Sequence, residues 1–544
     1  MGGTLNLADA FEAIAAVRGD AVDAVVQRDR RINWADFDRR ATNLAAWMLE
    51  RGATLQGKVA AYTYNHPAYN ETCFAAWKAR LIPFNVNYRY LETELHYLLD
   101  NADTEIVVVH AEFVPLLAKV LGDLPLVRGV LVVDDGDGQA AAVAGDIDGA
   151  LVFEDVAEAD RELARQERDW HDQMFLYTGG TTGMPKGVMW QQGDLYEKLG
   201  SGGIGPSPET LEALGDSIRA QPSGVRGFIG CPLMHGTGWF TSIIALLTGG
   251  TVVLMDNPRH FDAAEFWSIV EREKPQSATI VGDSFARPLV RELERDGAPA
   301  YDLSSLLMMV SSGVMWSQET KQALLDHNPS MMLVDAFSSS EAVGMGQSIT
   351  TAAGAVATAK FQLTPTTRLF DEALAPLETA PGVRGLVGVG GHQPLGYYKD
   401  PDKTARTFTE IDGMRYSVPG DWAEVAADGV TLNLLGRGSV CINTGGEKVY
   451  PEEVEEVVKA HPSVNDCVVV GVPDDKFGQA ITAVVSGLPG ESVDAAELKD
   501  FVKDRLSHYK APRHVVVVDA VYRSPSGKAD YKQTLETALE RLAP

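Results

Sequence analysis

Cysteine is scarce: the 544 residues hold four, Cys73, Cys231, Cys441 and Cys467, and none falls in a CxxC pair. That scatter excludes a disulfide framework and a cysteine-based zinc site, and it fits a reducing compartment, so a cytoplasmic location is expected. Positive charge is also in short supply. Forty-seven Lys and Arg face 75 Asp and Glu, giving a formal net charge of −28 and a pI near 4.8. Such a surface repels nucleic-acid backbones, so no nucleic-acid partner is expected, although a locally positive pocket for a phosphorylated small molecule remains open. No apolar run approaches the roughly 18 residues of a transmembrane helix. The first residues, MGGTLNLADAFEAIAA, lack the basic and apolar regions of a signal peptide. Asn6 stands where myristoylation after Gly2 would want Ser or Thr. There is no internal repeat and no low-complexity tract. The oligomeric state is not legible, a homodimer being one assembly open to the chain.

What remains is an ordinary globular composition, 45% hydrophobic and 22% charged, on a length that corresponds to roughly two to four domains. Short apolar runs alternate with amphipathic segments. VAAYTY (59–64), EIVVVH (105–110) and VLVVDD (130–135) read as strands. Residues 67–80 and 91–101 read as helices, the second with Leu91, Leu95, Leu98 and Leu99 on one face. The stretch 134–150 reads as a surface loop. TVVLMD (251–256), ATIVGD (278–283), LLMMVS (306–311) and MMLVDAF (331–337) continue the alternation, which implies α/β layers with largely parallel sheets. Residues 376–436 are rich in Gly and β-branched residues and suggest a smaller antiparallel or barrel-like piece. A compact α+β unit follows, so two domains are expected, 1–438 and 439–544.

The strongest local signal is FLYTGGTTGMPKGV (175–188). An apolar strand runs into Thr178, Gly179, Gly180, Thr181, Thr182 and Gly183, then Lys186. Glycines let backbone N–H groups curve around phosphate oxygens, threonine hydroxyls add donors, and the lysine adds charge. The string is not a Walker A loop, because Pro185 precedes the lysine and Gly187 follows it. Val188 and Met189 should continue as strand.

This loop closely resembles the signature of the adenylate-forming superfamily, which includes acyl-CoA ligases, peptide-synthetase adenylation domains and luciferase. Further strings match in the family's order, from INWADFDRRATNLA (32–45) to SGKADYK (526–532). The resemblance implies a large N-terminal domain of α/β subdomains and a smaller, mobile C-terminal domain. In PLMHGTG (232–238), His235 would gate the acyl site, with Trp239 beside it in the acyl pocket together with Val281 and Met315. In SGVM (312–315), Gly313 and Val314 would wrap the adenine. VDAFSSSE (334–341) would supply Asp335, Phe337 to stack on adenine, Ser338, Ser340, and Glu341 to hold Mg²⁺ against the triphosphate. Ser338 and Ser340 stand where the family usually has Gly and Thr.

YSVPGD (416–421) would place Asp421 on the ribose hydroxyls, helped by Arg437, with Pro419 replacing the usual Thr. Ser439 sits at the family's hinge position. Gly445, Gly446 and Glu447, in INTGGEKVYPEEVE (442–455), would line the channel for the pantetheine arm of coenzyme A. In RSPSGKADYK (523–532), Lys528 is the candidate catalytic lysine. The implied reaction is ATP-dependent activation of a small-molecule carboxylic acid to acyl-AMP, then transfer to coenzyme A. The mostly apolar pocket strings favour a hydrophobic acid: long-chain, branched or a steroid side-chain carboxylate. Medium-chain and aryl acids, and a carrier protein as the acyl acceptor, stay open.

Overall fold

The computed structural model describes residues 5–178, 184–200, 206–314, 316–354, 360–437, 440, 442–444, 447–474, 477–506, 508–523 and 527–542. The side chains of Arg437, Asn443, Glu447 and Lys448 also lie outside the description.

The protein is a mixed α/β structure with a large N-terminal and a smaller C-terminal part. Three sheets organise it. In the first, Asp23–Gln27, Thr251–Leu254, Arg226–Ile229, Ser277–Ile280, Met308–Ser312 and Met332–Ser339 lie side by side and parallel. The chain then turns tightly into Ala342–Thr350, and the sheet continues antiparallel through Lys360–Gln362, Thr431–Arg437, Asp421–Val425 and Arg384–Gly390. The Gly-rich antiparallel piece is thus an extension of the parallel sheet.

The second sheet has eight strands, centred on Ile82–Asn85, Lys58–Tyr62, Thr104–His110 and Gly129–Val133 in parallel. The hairpin Gln173–Thr178/Lys186–Gln191 and the short strand Gly396–Tyr397 extend one edge. Successive side chains of a strand face opposite ways. Accordingly Val59, Ala61, Ile106 and Val108 enter the core shared with the first sheet, while Ala60, Tyr62, Val107 and Val109 enter a separate core on the other face. Burial on both faces explains why these strands read as continuous apolar runs. The third sheet, with Val464–Asp474 and Gly478–Gly487 at its heart and His514–Val517 parallel to the latter, belongs to the C-terminal part and has its own core.

Two expectations need correction. Leu91 is not on the buried helical face: it caps the helix Glu92–Asn101 and is 73% exposed, its N–H donated to Glu94 Oε2 at 3.1 Å. The stretch 134–150 is not all loop, since Gln139–Val143 forms one helical turn after Asp134 Oδ2 accepts the Ala140 N–H. Alanine favours that turn intrinsically.

Candidate active site

The phosphate-loop hairpin is closed in register. Thr178 pairs directly with Lys186. Gly187 is required there, because a Cβ would lie 2.9 Å from the Tyr177 ring. Lys186 makes an ion pair with Asp400, the N-cap of helix Pro401–Thr407. The neighbouring Tyr398 N–H donates to the Gly187 carbonyl at 2.8 Å. Gly179, Gly180, Thr181, Thr182 and Gly183 lie outside the described residues, as do Met315, Ser439, Gly445 and Gly446.

A second hairpin carries Glu341. It sits in the turn between Met332–Ser339 and Ala342–Thr350, not at a helix start. The carboxylate is buried, and Tyr397 Oη donates to its Oε1 at 2.6 Å. Trp190 Nε1 donates to the Ser340 carbonyl at 3.0 Å, tying this turn to the phosphate hairpin. The Gly344 N–H donates to Ser338 Oγ at 3.1 Å. Both candidate phosphate elements therefore converge on Tyr397–Asp400, a segment that carries no motif of its own. Among the described residues no group of three or more His, Cys, Asp or Glu could hold a metal. A single buried carboxylate is nevertheless the donor set that suits Mg²⁺, which takes most of its ligands from phosphates and water.

Along Met332–Ser339, Leu333, Asp335 and Phe337 share the buried face. Phe337 packs on Phe361 with ring centroids 5.1 Å apart and is 7% exposed, so core packing occupies most of its ring. Asp335 meets the buried Lys321 at 3.2 Å; burial nonetheless raises its carboxyl to about 6. Asp421 is buried and stands directly across from Arg437 in the ladder, so both ribose candidates occupy one rung.

His235 is the N-cap of helix Gly236–Leu247. Its loop is pinned by two buried asparagines that sequence reading missed. Asn65 Nδ2 donates to the Cys231 carbonyl at 2.9 Å while its Oδ1 accepts the Leu233 N–H at 2.7 Å. Asn85 Nδ2 donates to the carbonyls of Tyr177 and Met234 at 2.9 and 2.6 Å. An isolated polar residue closing an apolar strand such as IPFN is the signal that could have found Asn85. Trp239 is wholly buried against Tyr69 and Val281 is 3% exposed, so both lie beneath the surface here; Val314 is partly buried against the same core.

Lys528 arrives from the C-terminal part. Gly313, at φ +89°, ends the strand Met308–Ser312, and a Cβ there would lie 3.7 Å from Lys528 Cε and 3.8 Å from Thr237 Oγ1. Loss of solvent, with the charges of Lys528 and Arg89 as smaller causes, pushes His235 down to about 3. The ring is partly exposed, but its Nε2 is closed off from water with no hydrogen-bond partner among the described residues. The His235 imidazole is therefore neutral throughout the working range.

A folded-state pKa below the unfolded value means that the unfolded chain takes up the proton first. His235 then costs no stability above pH 6.5 and a growing amount as pH falls from there towards 3. The expected result is that the unfolding free energy of wild type minus that of His235→Asn falls by about 2 kcal/mol from pH 7 to pH 5. Urea unfolding at the two pH values measures it, and a difference that does not fall contradicts the lowered His235 pKa.

Two strand hairpins thus converge on one segment, and a lysine from the C-terminal part stands beside Gly313. The family model described as AMP-binding enzyme matches residues 11–398, and that of the AMP-binding enzyme C-terminal domain matches 453–528. The chain belongs to this family.

It is 38% identical to a medium/long-chain-fatty-acid–CoA/3-oxocholest-4-en-26-oate–CoA ligase of Mycobacterium marinum, covering 99% of this chain and 98% of that one. It is 39% identical to a 3-oxocholest-4-en-26-oate–CoA ligase of Rhodococcus rhodochrous, over 97% and 95% of the two chains. A crystal structure of an anthranilate CoA ligase in complex with anthranoyl-AMP superposes with a TM-score of 0.82 at 22% identity, covering 99% of this chain and 98% of that one, a likeness of fold. Among the described residues no helix is long and apolar enough to cross a membrane.

Proposed function

We propose that the protein is a cytoplasmic, ATP-dependent acyl-CoA ligase for a hydrophobic carboxylic acid of the long-chain, branched or steroid side-chain class. The observation that carries this reading is Lys528 beside Gly313 and His235, more than two hundred residues away in sequence. The names of relatives that match nearly the whole chain support the substrate class.

In the first half-reaction a carboxylate oxygen attacks the α-phosphorus of ATP, the bond to the bridging oxygen breaks, and pyrophosphate leaves. Negative charge accumulates at the α-phosphoryl group, so positioning and cations dominate catalysis. Thr178 to Gly183 and Lys186 hold the outer phosphates. Gly313, Val314 and Phe337 border the adenine, and Asp421 and Arg437 hold the ribose. Lys528 sets its ammonium between the substrate carboxylate and the α-phosphate. Glu341 would hold Mg²⁺, which supplies charge neutralisation of the phosphates when bound. Neutral His235 can approach a carboxylate without adding charge to it.

In the second half-reaction the thiol sulfur of coenzyme A attacks the acyl carbonyl, its proton is lost, and AMP departs. The unit 439–544 turns about Ser439 between the two steps, removing Lys528 and bringing Gly445 to Glu447 to the site. A hinge residue absorbs such a backbone change.

The test is to incubate purified protein with ATP, Mg²⁺ and a panel of fatty, aryl and steroid side-chain acids, with and without coenzyme A, and to identify products by mass spectrometry. Acyl-CoA with AMP is the expected outcome, best with the hydrophobic acids. Acyl-AMP that accumulates unchanged by coenzyme A would redirect the second step to a carrier protein.

A further inference from the structure

Arg287 directly follows the mostly apolar string 281–286 of the expected acyl pocket in sequence, yet its guanidinium is held by other groups. Helix Gly282–Glu294 carries Arg287 and Arg291 four residues apart, hence on one face. Two like charges at that spacing weaken an isolated helix. What they meet is the C-terminal part. Arg287 Nη1 donates to the Asn465 carbonyl at 2.8 Å and Nη2 to the Lys459 carbonyl at 3.3 Å. Arg291 Nη2 donates to Asn465 Oδ1 at 2.6 Å. The Lys459 carbonyl is the last of helix Pro451–Lys459, the end where the helix dipole favours a cation.

Both ends of this contact are braced. On the N-terminal side, Asp283 Oδ2 lies 3.4 Å from Arg287 Nε, while Oδ1 accepts from the Ser317 N–H and from Ser317 Oγ and Thr320 Oγ1. On the C-terminal side, Asp466, next to Asn465, takes the fork of Arg523 at 2.5 and 2.7 Å. Arg523 Nη1 then donates to the Gly527 carbonyl at 2.9 Å, one residue before Lys528. Ser284 Oγ, on the arginine helix, donates to the same carbonyl at 3.4 Å. Polar contacts, joined by the backbone links 465–466 and 527–528, thus lead from Asp283 through the two arginines and Arg523 to the residue before the lysine.

We propose that Arg287 and Arg291 are positioning residues that latch the C-terminal unit in the orientation presenting Lys528 to the site, and so favour acyl-adenylate formation over thioester formation. The proposal rests on the two-step reading given above. A contact present in only one of two arrangements shifts their populations by its differential free energy, and the half-reaction served by the other arrangement gains or is untouched. Substrate chemistry does not pass through either arginine.

The test separates the half-reactions in the full-length protein. Pyrophosphate release is measured with ATP, Mg²⁺ and dodecanoate, and thioester formation with synthetic dodecanoyl-AMP and coenzyme A. The double variant Arg287→Ala/Arg291→Ala should lose roughly tenfold to a hundredfold in pyrophosphate release, the scale of lost charged hydrogen bonds, while thioester formation keeps its rate or rises. Arg287→Lys, a point charge unable to fork between two carbonyls, should fall between wild type and the double variant.

Asn465→Ala removes the side-chain partner of Arg291 but not the carbonyl that serves Arg287. It should give a smaller loss of the same sign, and it decides the matter should the double variant not fold. Equal loss of both half-reactions in a folded variant, or no loss in either, overturns the latch. If wild type itself releases no pyrophosphate with any acid, the functional reading falls and the latch with it.

Discussion

Lys528→Ala lowers acid-dependent pyrophosphate release by about a hundredfold to a thousandfold, the scale set by removing one preorganised donor from a developing negative charge, yet leaves thioester formation from supplied acyl-AMP within about twofold. The asymmetry follows from where the charge develops. Adenylation builds it on the α-phosphoryl group, beside which the ammonium would stand as a compact point charge under the proposed function. Thioester formation consumes an acyl-AMP whose phosphoryl bond is already made. The side chain is exposed, so truncation leaves the fold intact. A second readout is independent of turnover: Lys528 is one of the two charges that depress His235, so the His235 pKa rises in the variant. Loss of both half-reactions in a folded Lys528→Ala protein would remove the lysine from the role given to it.

Glu341→Gln carries the second large effect. The side chain sits buried in a strand-to-strand turn with Tyr397 Oη on one carboxylate oxygen. Glutamine keeps the shape and an oxygen for Tyr397 to donate to, but removes the formal charge. Pyrophosphate release should fall about a hundredfold, and the Mg²⁺ concentration for half-maximal rate should rise at least about tenfold, because a hard dication loses its anionic protein ligand. Tyr397→Phe removes only the bond that orients the carboxylate and should cost about one kcal/mol, the net worth of one hydrogen bond. An unchanged Mg²⁺ dependence in Glu341→Gln would mean that the carboxylate serves the hairpin and not the metal.

Sequence reading found what is local. The parallel strands were legible because burial on both faces demands unbroken runs of apolar residues, as in Thr104–His110. The two strands flanking the glycine–threonine loop were legible because apolar FLY and β-branched Val188 bracket it, and Thr178 does pair with Lys186. Periodicity misled at Leu91, where an acidic residue three positions on captures the backbone N–H and starts the helix one residue later. The alanines after Asp134 have enough helix propensity for one turn, too short for a period to show.

Contacts between distant segments were not legible. Nothing in GYYKD marks Tyr397 as the partner of Glu341 or Asp400 as that of Lys186, since each is far along the chain from the group it holds. Asn65, from the bend after Lys58–Tyr62, and Asn85, from the strand Ile82–Asn85, pin the His235 loop. Nothing in the sequence around Arg287 marks it as the partner of Asn465 and Lys459, far along the chain.

The central claim is that an acyl-adenylate forms before coenzyme A takes part, and isotope exchange between ATP and pyrophosphate measures that step directly. With Mg²⁺, a hydrophobic carboxylic acid and no coenzyme A, the protein is predicted to pass label from pyrophosphate into ATP at a rate that depends on the acid and collapses in Lys528→Ala. Thioester formation without any acid-dependent exchange would contradict the account.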